Sequence, residues 1–80
     1  MRPEAELFGR HLRKIRTVRE WTQEQLAEEA GITPTYTSDL ERGMKVPSLT
    51  IILRLARALQ IDVSELLEPF SRDTVRRMHL

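Results

Sequence analysis

The chain contains no cysteine, which removes disulfides and thiolate zinc sites and points to an intracellular setting. No apolar run is long enough for a membrane span, so no membrane partner is expected. The charged, proline-bearing start MRPEAE does not have the build of a signal peptide. Strand signals are missing too: Val, Ile and Leu recur at helical spacing, and no alternating run flanks a hairpin turn. Enzyme chemistry has little to stand on. The two histidines, His11 and His79, are far apart in sequence, and there is neither a Gly-rich phosphate loop nor a metal-ligand cluster. No cofactor, metal or small-molecule ligand is expected. What remains is an all-α protein, and 80 residues allow one domain near the lower size limit for a self-sufficient core.

The residues present carry helix punctuation. In TQEQLAEEAGITPTYTSDLERG, residues 22–43, Thr22 and Thr33 are suited to N-caps, and Gly31 and Gly43 to the position just past a helix end. Trp21 can staple onto Leu26, and Thr22 with Gln25 forms a Thr-x-x-Gln capping box. Pro34 sits at the first helical position, where its missing N–H costs nothing. Two helices joined this tightly cannot form an antiparallel hairpin; they must cross steeply as a helix-turn-helix, which thrusts the second helix outward.

The rest of the chain reads the same way. A first helix from about Glu4 to Val18 presents Phe8, Leu12 and Ile15 on one face, with His11 as a half-buried structural residue. Ser48 caps a fourth helix to about Leu59. Its apolar residues fall on two faces, Leu49, Ile52, Leu53, Ala56 and Leu59 on one and Ile51, Leu55 and Ala58 on the other, which predicts burial on two sides. A short fifth helix repeats the capping box with Asp62 and Glu65, and ends before Pro69. Residues 69–80 are either a last turn capped by Ser71 or a mobile, mildly basic tail.

Net charge is +1, so only its distribution informs. Residues 1–20 carry six Arg/Lys against three Glu, residues 42–60 carry four and no acid, and residues 21–41 carry five Asp/Glu and no Lys or Arg. If the central helices meet nucleic acid, most phosphate neutralisation must come from outside them.

The order Leu26, Ala27, Gly31, Ile32, Leu40, together with IRTVREWTQEQLAEEAGIT, YTSDLERGMKVPSL and LARALQIDVSELL, resembles the Cro/CI-type phage repressors and their bacterial relatives, the xenobiotic-response-element regulators. The resemblance covers about residues 8–68. It implies a compact five-helix, lambda-repressor-like domain over residues 1–68, with the motif at 23–42 and the tail 69–80 available to a dimer interface. It also implies a transcriptional regulator that binds palindromic double-stranded DNA as a homodimer, the third helix in the major groove.

By position, Pro34, Thr35, Ser38 and Asp39 match the base-reading residues. Asp39 either accepts from a cytosine amino group or is a charge held away from DNA. Gln23, Tyr36, Arg42 and Lys45 match or flank phosphate-contacting positions. Arg16 and Glu41 match a structural ion pair between the first and third helices. Thr37 departs from the family's usual Ile or Val; its hydroxyl can bond back to the Thr33 carbonyl. For a dimer, Ile51, Leu55, Val63, Leu67 and Phe70 are the apolar residues expected to remain for a second copy to cover. Small stand-alone members include phage Cro-like repressors and the controllers of restriction–modification systems, and the length fits both. A competing class is a protein-interaction module of antitoxin or bridging-factor type, which the acidic central helices would suit.

Overall fold

A computed structural model describes residues 2–80. Six helices follow one another: α1 Pro3–Val18, α2 Gln23–Ala30, α3 Pro34–Glu41, α4 Leu49–Leu59, α5 Val63–Leu66 and α6 Arg72–Arg77. The described residues form no strand. The sixth helix exceeds the expected five and occupies the tail, where Ser71 accepts from the Thr74 N–H.

Helix starts follow the side-chain chemistry. Thr22 accepts from the Gln25 N–H while the Gln25 amide oxygen accepts from the Thr22 N–H at 2.7 Å, which satisfies two donors that a helix leaves without partners. Thr33 and Ser48 accept from the N–H groups of Tyr36 and Ile51. The expected Asp62 box does not form, for Asp62 makes no side-chain cap bond. In this single turn the Glu65 N–H that the box would use already donates to the Asp62 carbonyl at 3.0 Å.

The ends of α1 to α4 follow one pattern. Glu20, Gly31, Gly43 and Gln60 are all left-handed, with φ of 60°, 71°, 74° and 56°. Each donates to the carbonyl three residues back, and the next residue donates five back, as in Gly31 to Glu28 and Ile32 to Ala27. This arrangement satisfies the last carbonyls of the helix. Glycine adopts it without penalty; at Glu20 and Gln60 it costs about 1–2 kcal/mol.

The core joins Phe8 and Leu12 of α1, Leu26 and Ala30 of α2, Leu40 of α3, Leu55, Ala56, Ala58 and Leu59 of α4, and Leu66 of α5. Helix α4 is not buried on two sides. Ile51, Ile52, Leu55, Ala56, Ala58 and Leu59 face or flank the core, whereas Leu49 and Leu53 are 68% and 48% exposed. Helix α1 meets the end of α3 at Gly9, where a Cβ would lie 2.3 Å from the Leu40 carbonyl oxygen and 2.7 Å from that of Glu41. His11 Nε2 donates to the Glu65 carbonyl at 2.8 Å, which ties α5 to α1. Helix α6 lies along the start of α1, with Thr74, Arg77 and Met78 sharing a surface hollow with Pro3, Glu6, Leu7 and Arg10.

Candidate nucleic-acid interface

Helix α3 is mounted by one side. Thr37 and Leu40 are fully buried and Glu41 nearly so. Residues at i, i+3, i+4 and i+7 share a helical face, so Thr35, Ser38, Asp39 and Arg42 form a stripe opposite that buried side. Thr35 and Arg42 are exposed, as is Pro34 at the tip of the helix, and Ser38 and Asp39 are half-buried. Tyr36 lies to one side, packed partly against the core. Thr37 donates its hydroxyl to the Thr33 carbonyl at 3.0 Å, the bond expected of a threonine buried at this position.

The mounting turns on one guanidinium. Arg16 donates from Nε to Glu41 Oε2 at 2.6 Å and from Nη2 to Oε1 at 3.0 Å, while its Nη1 donates to the Trp21 carbonyl at 2.7 Å. A single α1 side chain therefore joins the segment that enters α2 to the end of α3. The pair is nearly dry, with side chains 12% and 2% exposed. The hydrogen bond that Arg16 donates to Glu41 is the main reason its pKa is raised, against the opposing effect of burial. Gln23, at the start of α2, donates from Nε2 to Glu41 Oε1 at 3.0 Å. Its amide is thus held in place, with a second N–H and the backbone donors of the helix N-terminus beside it.

The shortage of cations between residues 21 and 41 is made up from elsewhere in the fold. Arg2 and Lys45 share a hollow with Gly43 and Met44, just past the end of α3. Arg54 of α4 extends Nη1 to within 3.5 Å of the Gly31 carbonyl at the turn of the motif. The Arg19 guanidinium lies 5.9 Å from the Trp21 ring centroid, ahead of α2. Sequence reasoning found Arg42 and Lys45 but not Arg2 or Arg54, which reach the motif only through packing across 20 residues or more. Arg42 is not unpaired: its Nη2 donates to Asp39 Oδ1 at 2.8 Å, and the two side chains are 63% and 22% exposed.

The expected dimer face needs correction at Leu55. Leu55 has no exposed surface and belongs to the core. Ile51, Val63, Leu67 and Phe70 are half-buried against that core. The apolar residues that α4 and its approach leave outside are Met44, Val46, Leu49 and Leu53. Ile51 and Leu55 lie on the inward arc of α4, and Leu49 and Leu53, at i and i+4, form the outward one.

A family model described as helix-turn-helix matches residues 12–66, the span that contains α2, the turn at Gly31, the exposed α3 and their supporting helices. The chain belongs to the helix-turn-helix family. Among its relatives, an uncharacterised HTH-type transcriptional regulator of Bacillus subtilis, YazB, is 39% identical over 66 residues, covering 82% of this chain and 96% of that protein. The control protein C.BamHI of Bacillus amyloliquefaciens is 40% identical over 63 residues, 78% of either chain. The crystal structure of the restriction-modification controller protein C.AhdI from Aeromonas hydrophila is 41% identical with a TM-score of 0.77, covering 79% of this chain and 91% of that one. This helix-turn-helix protein has the all-helical fold of those regulators, and its fold is that of a DNA-binding transcriptional regulator. Among the described residues no helix is long and apolar enough to cross a membrane.

Proposed function

We propose that the protein is a sequence-specific transcriptional regulator that binds a palindromic double-stranded operator as a homodimer, with α3 in the major groove. One observation carries the reading: the outward stripe of α3 presents polar side chains to solvent, Thr35 and Arg42 exposed and Ser38 and Asp39 half-buried, while its inward side is fixed by Arg16 and Glu41. Thr35 and Ser38 are suited to base edges, and Pro34 and the Thr35 methyl to a thymine methyl. Gln23 and the first N–H groups of α2 are suited to a phosphate on one side of the groove, and Arg42, Lys45 and Arg2 to phosphates on the other. The control-protein relatives support a role as a controller of other genes.

The second copy is assigned to the outward face of α4. Leu49 and Leu53 are its exposed centre. Val46, Ile52, Leu67 and Phe70 line the neighbouring apolar hollow of about 140 Å³. The palindromic reading calls for a two-fold through that face that presents two α3 helices to half-sites about one DNA turn apart.

Titration of a fluorescent duplex selected from a random pool tests the function at two salt concentrations. If Arg2, Arg42 and Lys45 of each of two subunits meet phosphates, log K should fall against log salt with a slope of about −5. A flat salt response, or no enriched duplex, overturns the assignment and leaves the protein-interaction class. Sedimentation of Leu53→Asp should show the dimer dissociating while helix content is kept.

A further inference from the structure

We infer that Asp39 reads the amino group of a cytosine at one position in each half-site, and that Arg42 is the positioning residue that makes a carboxylate tolerable there. The inference rests on the DNA-reading assignment above and names which base one of its residues selects.

A bare carboxylate is out of place on a surface that approaches phosphates, since like charge repels it. On α3, however, Asp39 is not bare. Arg42, one turn further along the same stripe, donates from Nη2 to Oδ1 at 2.8 Å, so the pair carries no net charge into the groove. Among the described residues Oδ2 has no hydrogen-bond partner, which leaves one oxygen as an acceptor. The Asp39 side chain is only 22% exposed against 63% for Arg42. The carboxylate is therefore restricted in direction, while its partner keeps further donors for the DNA backbone.

An acceptor with no donor function discriminates sharply among major-groove edges. Guanine offers N7 and O6 and thymine offers O4, all acceptors that repel a carboxylate. Adenine offers its amino group beside the acceptor N7. Cytosine alone presents an amino donor with no acceptor on its own major-groove edge. A carboxylate held by Arg42 thus favours cytosine over every alternative, by roughly 5- to 150-fold for a well-placed contact.

The test is binding-site selection from a random duplex pool with the full-length protein and three variants, each first checked for a wild-type thermal melt. The wild type should enrich a site with cytosine at one position per half-site. Asp39→Ala should lose the preference at that position and keep it at the others. Asp39→Asn, which keeps the shape of the side chain, should move the preference to adenine, because an amide pairs with both N6 and N7. Arg42→Ala should weaken binding and blur the same position. The inference is overturned if Asp39→Asn selects the wild-type site, or if all positions blur together in Asp39→Ala. Retained cytosine selectivity in Arg42→Ala removes the positioning role. Failure of the wild type to enrich any duplex overturns the DNA-reading assignment itself and is distinct from these results.

Discussion

Replacing Gly9 with alanine inverts an ordinary rule. In mid-helix, alanine is normally better than glycine by roughly 0.5–1 kcal/mol, because glycine surrenders more backbone freedom on folding. At Gly9 the added Cβ would stand 2.3 Å from Leu40 O, 2.7 Å from Glu41 O and 2.9 Å from the Glu41 carbonyl carbon. All three are backbone atoms, so no rotamer change relieves the overlap. Helix α1 must retreat from the end of α3 by about 1 Å to restore normal contact distances. Forced overpacking of this kind costs about 1–3 kcal/mol, more than the propensity gain. The net expectation is a loss of about 1–2 kcal/mol, which for a chain of this size lowers Tm by roughly 5–15 °C. The retreat also pulls Arg16 away from Glu41, so DNA affinity should fall even at temperatures where the variant stays folded. Thermal melts followed by circular dichroism, with exposed Arg10→Ala as the neutral comparison, decide the matter. A Gly9→Ala midpoint equal to or above that of the unaltered protein refutes the close-approach argument.

Three further outcomes are expected. Arg16→Ala leaves the carboxylate of Glu41 buried with Gln23 as its only partner among the described residues, and urea titration should show a loss of about 3–5 kcal/mol; the paired change Arg16→Met with Glu41→Leu should recover much of it, and a loss below about 1 kcal/mol would contradict the dry geometry. Thr37→Val removes a buried hydroxyl without orphaning its acceptor, since the Thr33 carbonyl still receives the Thr37 N–H at 3.0 Å; the midpoint should rise by a few degrees, and a lower one counts against the reading. Gln60→Gly should stabilise by about 1 kcal/mol by relieving a left-handed backbone at φ 56°, whereas a fall in the midpoint would show that the Gln60 side chain makes compensating contacts.

What could be read from the chain, and what could not, follows the range of the forces involved. The caps at Thr22, Thr33 and Ser48 are local, acting within three residues, and their side-chain types announce them. The ion pair of Arg16 and Glu41 spans 25 residues and came only through family resemblance. Glu20 and Gln60 end their helices as Gly31 and Gly43 do, yet no residue preference marks them. Leu49 and Leu55 are the same residue type on the same helix; which of them is buried depends on where α2 and α5 lie, and periodicity within α4 is silent on that. Gly9 is one glycine in a helical pattern, whose reason is the backbone of Leu40 and Glu41, more than 30 residues later. Asp62 shows the opposite failure: a local signal was present, but in a one-turn helix the backbone claimed the donor first.

The support of α3 has a consequence for how such a protein changes over time. None of Pro34, Thr35, Ser38, Asp39 and Arg42 is buried, and none of them holds the helix in place; that task falls to Gly9, Arg16, Thr37, Leu40 and Glu41. Vocabulary and scaffold are therefore written in separate letters. A lineage, or an engineer, can rewrite the five outer letters to address a new operator while the foundation beneath them stands untouched.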